Sequence, residues 1–297
     1  MSKKMLFIFN PYSGKAQIKN KLLEIIDIFT KGGYLVTAYP TQGYQDAINA
    51  VVKHVEEYDL LVCSGGDGTL DEVVTGVIMS KKKIPIGYIP AGSTNDFANS
   101  LKIPKNMIKA ANIVVSGKKF QCDIGKFNED IFVYIAAFGL FTDVSYQTKQ
   151  EVKNVLGHMA YLLEGVKRLY AIQSYHIQVE CNDEVIKGEY IYGMISNSIS
   201  VGGFKKVTGK YVELDDGLFE VLFVRMPKNP LELQEIIVAL LNEEMDSKYI
   251  FTCKAANIKV TSKKTIPWTL DGEYGGEHKA VLIKNLTHEI EMIVEDK

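Results

Sequence analysis

The sequence predicts an α/β first half and a β-rich second half, and a change of hydrophobic rhythm carries that prediction. Short apolar runs alternate with helical spacing over the first third, while period-two alternation takes over after about Asp123. Met5 to Phe9 reads as a buried strand. Ile18, Leu22, Ile25, Ile26 and Phe29 then mark one face of a helix that Gly32 and Gly33 end. Val36 to Tyr39, Leu60 to Cys63 and Ile86 to Ile89 repeat the strand signal, with helical stretches at Gln45 to Glu57 and Leu70 to Met79 between them. Strand-helix alternation of this kind predicts a parallel sheet covered on both faces.

In the second half, Ile177, Val179 and Cys181, and again Ile290, Met292 and Val294, alternate with polar residues as half-buried strands do. Glu189 to Ser196, Leu218 to Arg225, Ile258 to Ser262 and Lys279 to Lys284 are also strand-like, and Met159 to Tyr170 and Leu231 to Leu241 are helical. No linker or repeat separates the halves. The reading therefore divides the chain at residues 1–125 and 126–285, with a tail at 286–297 that can pack back on the first domain.

Composition excludes several classes. The 297 residues are 46% hydrophobic and 24% charged, with 34 basic against 36 acidic side chains. A net charge of -2 gives no broad positive field for nucleic acid. The longest apolar runs fall short of the roughly 20 residues that a membrane-spanning helix needs, so any membrane contact is expected to be peripheral. The four cysteines, Cys63, Cys122, Cys181 and Cys253, show no metal-ligand spacing and are expected to be reduced thiols in the cytoplasm. Lys81 to Lys83 is expected to be a solvated loop. Trp268 and the histidines show no catalytic spacing.

Three turns follow predicted strands: Asn10-Pro11-Tyr12-Ser13-Gly14-Lys15, Gly65-Gly66-Asp67-Gly68-Thr69, and Pro90-Ala91-Gly92-Ser93-Thr94-Asn95-Asp96. Adjacent parallel strands would gather them at one sheet edge, where open α/β sheets bind ligands. Glycines let backbone N–H groups approach a phosphate, and a helix N-terminus favours anions. Thr69 and Glu72 have the spacing of a capping box at that helix start. Any one of these turns alone reads equally well as an ordinary loop. An acid such as Asp67 among phosphate-binding glycines, however, calls for a cation beside it. Neither the P-loop nor the GxGxxG pattern fits.

Six segments together resemble the soluble diacylglycerol kinase superfamily, which is related to sphingosine and ceramide kinases. They are NPYSGK at Asn10 to Lys15, GGDGTLDEVV at Gly65 to Val74, PAGSTNDFA at Pro90 to Ala98, CDIGK at Cys122 to Lys126, LDDGLFEV at Leu214 to Val221 and LDGE at Leu270 to Glu273. The chain departs from the pattern at Asp71, where the family often has Asn, and over Gly202 to Thr208, which lacks a Pro-Ala element.

The resemblance implies a Rossmann-like nucleotide-binding domain, a C-terminal β-sandwich and an active-site cleft between them. It places ATP phosphates over Gly65, Gly66, Gly68 and Thr69, with Asn10, Ser13, Lys15, Thr94 and Asn95 lining the nucleotide site. Asp67, Asp96 and Asp123 would organise water and Mg²⁺. Glu273, helped by Asp271, would accept the proton of the acceptor hydroxyl, and Asp67 would also serve catalysis. Glu213, Asp216 and Leu218 would hold a second, structural divalent ion. The implied activity is ATP- and Mg²⁺-dependent phosphorylation of diacylglycerol to phosphatidic acid, performed by a cytoplasmic enzyme working peripherally at the inner membrane face.

Other readings stay open: a sphingoid, ceramide or phosphatidylglycerol-type lipid acceptor, an NAD kinase-like metabolite kinase, or a non-catalytic nucleotide- or lipid-binding protein. A homodimer is compatible with the sequence. A helix at Gln150 to Tyr161, with Lys149 and Lys153, could face anionic lipid or pack on the second domain.

Overall fold

The computed structural model describes residues 2–140, 172–198, 200–201, 204–205, 212–241 and 247–296. The expected helices at Met159 to Tyr170 and Gln150 to Tyr161, and most of Gly202 to Thr208, lie outside them. The protein is α/β with a large sheet. Its described residues form two compact units, one of Met1–Ile124, Leu214–Asp216 and Leu286–Lys297, the other of Gly125–Glu213 and Gly217–Asn285.

In the first unit, β1 (Lys3–Phe9) pairs in parallel with β2 (Tyr34–Pro40) and with β3 (Leu60–Gly65), and β3 pairs in parallel with β4 (Pro85–Pro90). The apolar run Met5 to Ile8 is essentially fully buried, as expected of a strand covered on both faces. Edge strand β2 alternates half-buried and exposed residues. Helices α1 (Ile18–Lys31), α2 (Asp46–His54), α3 (Asp67–Ser80), α4 (Asp96–Ser100) and α5 (Met107–Ser116) fill the intervals. Asn106 caps α5 by accepting from the amides of Ile108 and Lys109 at 3.1 and 3.0 Å. That helix escaped the sequence reading, although the Asn cap was its available signal.

Of the three lysines expected in a solvated loop, Lys81 and Lys83 are exposed and lie outside any helix or strand, whereas Lys82 is half-buried. Lys82 Nζ donates to the carbonyls of Val55, Glu56 and Tyr58 at 2.7–2.9 Å, closing the short 3₁₀ turn after α2. Lys83 Nζ reaches the Glu289 carbonyl at 3.1 Å.

The second unit is antiparallel. It contains β6 (Asp130–Phe132), β7 (Ile135–Gly139), β8 (Tyr175–Cys181), β9 (Glu184–Ser196), β12 (Phe219–Arg225), β13 (Ile250–Ala255) and β14 (Asn257–Leu270). The end of β5 (Lys118–Phe127) and the first half of β15 (Glu273–Val294) belong to it as well. The short pair β10 (Ser200–Val201) and β11 (Phe204–Lys205) and helix α6 (Pro230–Leu241) complete the elements of its described residues. Strand β9 pairs with β7 through Tyr192 to Ser196 and with β8 through Glu184 to Tyr190; β14 likewise pairs with both. These four strands make a closed circuit of pairing, which differs from the two separately bonded layers of the expected sandwich. The β14–β15 ladder shifts register between Thr261 and Ile266 and between Pro267 and Thr269. Trp268 fills the centre, with ring centroids of Phe138 and Phe127 at 4.9 and 5.1 Å.

The reduced-thiol expectation is also corrected: Cys181 on β8 and Cys253 on β13 form a disulfide, while Cys63 and Cys122 are free and buried. A separation of 72 residues hid that pairing from any local motif. Among the described residues no helix is long and apolar enough to cross a membrane.

Candidate functional site

The three turns meet at the carboxyl ends of β1, β3 and β4. The Asn10 amide donates to the Ser64 carbonyl at 2.9 Å, and the Ala91 amide donates to that of Gly65 at 2.7 Å. Ser13 Oγ accepts from the Gly66 amide at 3.3 Å. Glycine is required where the turns touch. A Cβ on Gly92 would lie 2.6 Å from Gly66 Cα, and one on Gly14, whose φ is +55°, would lie 2.3 Å from the Ala91 carbonyl oxygen.

Asn95, at φ +56°, locks the third turn: its Oδ1 accepts from the Gly92 amide at 2.9 Å and its Nδ2 donates to the Gly92 carbonyl at 2.8 Å. Thr94 precedes it, and the Thr94 carbonyl accepts from Asn99 Nδ2 at 3.4 Å. Asp67 Oδ2 accepts from the Asp96 amide at 3.2 Å and Oδ1 from the Phe97 amide at 3.4 Å. The first residue of α3 thus holds the start of α4.

The capping box is not formed as expected. Helix α3 begins at Asp67, with Gly66 as a cap that supplies no side chain, so Gly68 and Thr69 already lie in the helix. Glu72 turns away instead and accepts from the amides of Gln45 and Ala47 at 2.9 and 3.2 Å, capping α2. This brings a fourth loop, Thr41 to Gln45, to the edge where the Thr41 amide donates to the Phe9 carbonyl at 2.9 Å. Sequence reading missed that loop because its tether is 27 residues away. With no side-chain cap, the N-terminus of α3 presents its positive end to the junction of the turns.

Carboxylates concentrate here, and their neighbours register it. Burial first, then the charges of Asp67, Cys63 and Asp96, raise the Tyr88 phenol well above its ordinary value. Tyr88 therefore stays protonated and donates to the Gly65 carbonyl at 3.2 Å beneath the glycine turn. Burial, Glu72 and Asp67 raise the Cys63 thiol in the same way. Lys15 is exposed at the end of the first turn, and Lys19 Nζ sits 4.5 Å from the centroid of the Tyr12 ring.

Asp123 is fully buried on β5, with its backbone N–H on the Leu214 carbonyl at 2.8 Å and its Oδ1 accepting from the His288 amide at 2.8 Å. Asp216 lies in the same first-unit segment as Leu214, whereas Glu213 and Leu218, which flank that segment, belong to the second unit. Among the described residues no three His, Cys, Asp or Glu side chains cluster closely enough to hold an ion by themselves.

In the second unit, Asp271 and Gly272 have φ of +52° and +87° and make the two-residue turn between β14 and β15. Asp271 is buried. Its Oδ2 accepts from the Val133 amide at 2.5 Å, and its Oδ1 from the Tyr134 and Ile135 amides at 2.9 Å each. Glu273, paired with Leu270 in register, is exposed beside Tyr274. The two acids of the LDGE segment thus have different environments: one is saturated by backbone donors and the other is open to solvent.

An α/β protein with glycine-bearing turns gathered at the carboxyl ends of parallel strands falls in the class of folds that bind ligands at that edge. Residues 4–127 match the diacylglycerol kinase catalytic domain. Over 294 residues the chain is 35% identical to a diacylglycerol kinase of Staphylococcus carnosus (strain TM300), covering 98% of this chain and 95% of that one. It is 33% identical over 276 residues to a diacylglycerol kinase of Bacillus subtilis (strain 168), covering 92% and 91%. A solved structure of a diacylglycerol kinase from Bacillus anthracis str. Sterne superposes with a TM-score of 0.77 at 21% identity, covering 99% of this chain and 97% of that one. The chain belongs to the diacylglycerol kinase family.

Proposed function

We propose that this lipid kinase transfers the γ-phosphoryl group of ATP to the free hydroxyl of diacylglycerol, giving phosphatidic acid and ADP. The observation that carries the proposal is the meeting of three glycine-bearing turns at the uncapped N-terminus of α3. On this reading the first unit is a Rossmann-like nucleotide domain, and the antiparallel β-rich unit takes a lipid reached from the membrane surface.

Gly65, Gly66, Gly68 and Thr69 line the phosphate site at the start of α3, where glycines let an anion approach the chain closely, with Asn10, Ser13, Thr94 and Asn95 shaping the walls and Lys15 offsetting charge. Crowded acids beside an anion need a counter-charge; burial first, and the neighbouring acids after it, raise Tyr88 and Cys63. Asp67, Asp96 and Asp123 therefore suit Mg²⁺ held largely through water and phosphate oxygens, and Asp216, with the carbonyls of Glu213 and Leu218, suits a second ion. When bound, Mg²⁺ neutralises charge that builds on the transferring phosphoryl group.

Glu273 takes the hydroxyl proton as the oxygen attacks the γ-phosphorus, and the bond to the β-phosphate oxygen breaks with its electron pair going to ADP. Asp271 helps by fixing the turn that carries Glu273. Radiolabelled ATP offered with diacylglycerol, sphingosine, ceramide, phosphatidylglycerol or NAD in separate reactions tests the assignment. Label in phosphatidic acid is expected. Label in another acceptor alone, or ATP binding without transfer to any of them, would overturn it.

A further inference from the structure

We propose that His288 is a positioning residue that clamps the Leu214–Asp216 turn against Asp123. Resting on the kinase reading, this gives the last strand a part in assembling its acidic site. His288 lies in β15, after Lys284 opposite β14 and before Glu291 opposite β4. There the backbone turns left-handed, with φ +54°. Such a conformation disfavours residues with a Cβ, and His accepts it more readily than most.

At this position the His288 amide donates to Oδ1 of the buried Asp123 at 2.8 Å. The ring Nε2 lies 3.1 Å from the Asp215 carbonyl oxygen. A carbonyl only accepts, so Nε2 carries the proton. Neutral Nε2–H imidazole and imidazolium both satisfy that bond, so the clamp needs no change of protonation. The turn is held from the other side by the Asp123 amide on the Leu214 carbonyl at 2.8 Å. One residue thereby connects three segments distant in sequence. It sets where Asp216 stands relative to Asp123, two acids proposed above to organise divalent ions.

The test compares His288→Asn, which tolerates the left-handed backbone but falls short of Asp215, with His288→Gln, whose amide reaches about as far as the imidazole. Hydrogen exchange of amides 214–216 is read on the full chain without metal, nucleotide or lipid. We expect about two- to tenfold faster exchange in His288→Asn and near wild-type exchange in His288→Gln, the scale of one neutral hydrogen bond. In the kinase assay, the Mg²⁺ concentration giving half-maximal rate should rise at least about threefold in His288→Asn, while KM for ATP at saturating Mg²⁺ holds, a scale set by the same bond.

Unchanged exchange in His288→Asn, or equal acceleration in both variants, overturns the clamp. Faster exchange with unchanged Mg²⁺ dependence overturns the positioning role. His288→Gly, which also permits the backbone and lacks the ring, replaces His288→Asn if that variant fails to fold. Because the exchange measurement needs no substrate, failure of the lipid assignment would be seen separately, in the acceptor panel.

Discussion

The Asp67 carboxylate accepts from the backbone amides of Asp96 and Phe97 at 3.2 and 3.4 Å, so an acid of the glycine turn fixes the start of the helix that follows the third turn. Two charge-assisted bonds join α3 to α4. Replacing Asp67 by Ala removes both of them together with the proposed Mg²⁺ partner. We expect kcat/KM for ATP to fall at least about 100-fold, or about 2.7 kcal/mol of transition-state stabilisation. Steady-state kinetics on a variant shown to be folded by circular dichroism checks this, and a loss under fivefold would remove Asp67 from the site.

Asp271 and Glu273 should separate in their effects. Asp271→Ala leaves three buried amides without their acceptor and should destabilise the second unit by at least about 2–3 kcal/mol, measured by urea unfolding. Glu273→Gln changes an exposed residue and should leave the urea midpoint nearly unchanged while lowering kcat at least about 100-fold, as loss of a general base does. Similar stability losses in both variants would contradict the division of roles.

Gly92 tests the contact of the turns. A methyl group there would meet Gly66 Cα at 2.6 Å, and neither backbone can yield without moving the glycine turn. Gly92→Ala should raise KM for ATP by about tenfold or more, the scale of one lost phosphate contact. A wild-type KM would mean that the junction tolerates separation.

Alkaline stability follows from the buried acids of weak strength. Burial raises Cys63, Cys122 and Tyr88 above their ordinary values. In the folded state they keep their protons where the unfolded chain loses them, so their contribution is complete below the unfolded values. It fades as pH rises above about 9. Unfolding free energy should decline from that point, and a flat profile to pH 10.5 would contradict the burial of all three.

What was legible in the sequence was local. The buried strands around Met5, Leu61 and Ile86 showed as apolar runs, and the turns after them showed as glycine and Asn/Asp clusters, because each signal spans fewer than about ten residues. What was illegible was distant pairing. Glu72 has the spacing of a local cap, yet its partners are Gln45 and Ala47. Lys82 looks like part of a charge run, yet it closes the turn at Val55 to Tyr58. Asp271 looks like half of a catalytic pair, yet its donors are Val133 to Ile135, more than a hundred residues earlier. Polar side chains find their partners through the fold, and no periodicity announces which ones.

Calorimetric titration of ATP with Mg²⁺ into wild-type protein and into Asp67→Ala and Gly92→Ala addresses the phosphate cradle without depending on any lipid. The account predicts saturable one-site binding by the wild type, weakened at least about tenfold in both variants, a difference of about 1.4 kcal/mol. Equal affinity in all three proteins would show that ATP binds elsewhere and would contradict the assignment of the glycine turns.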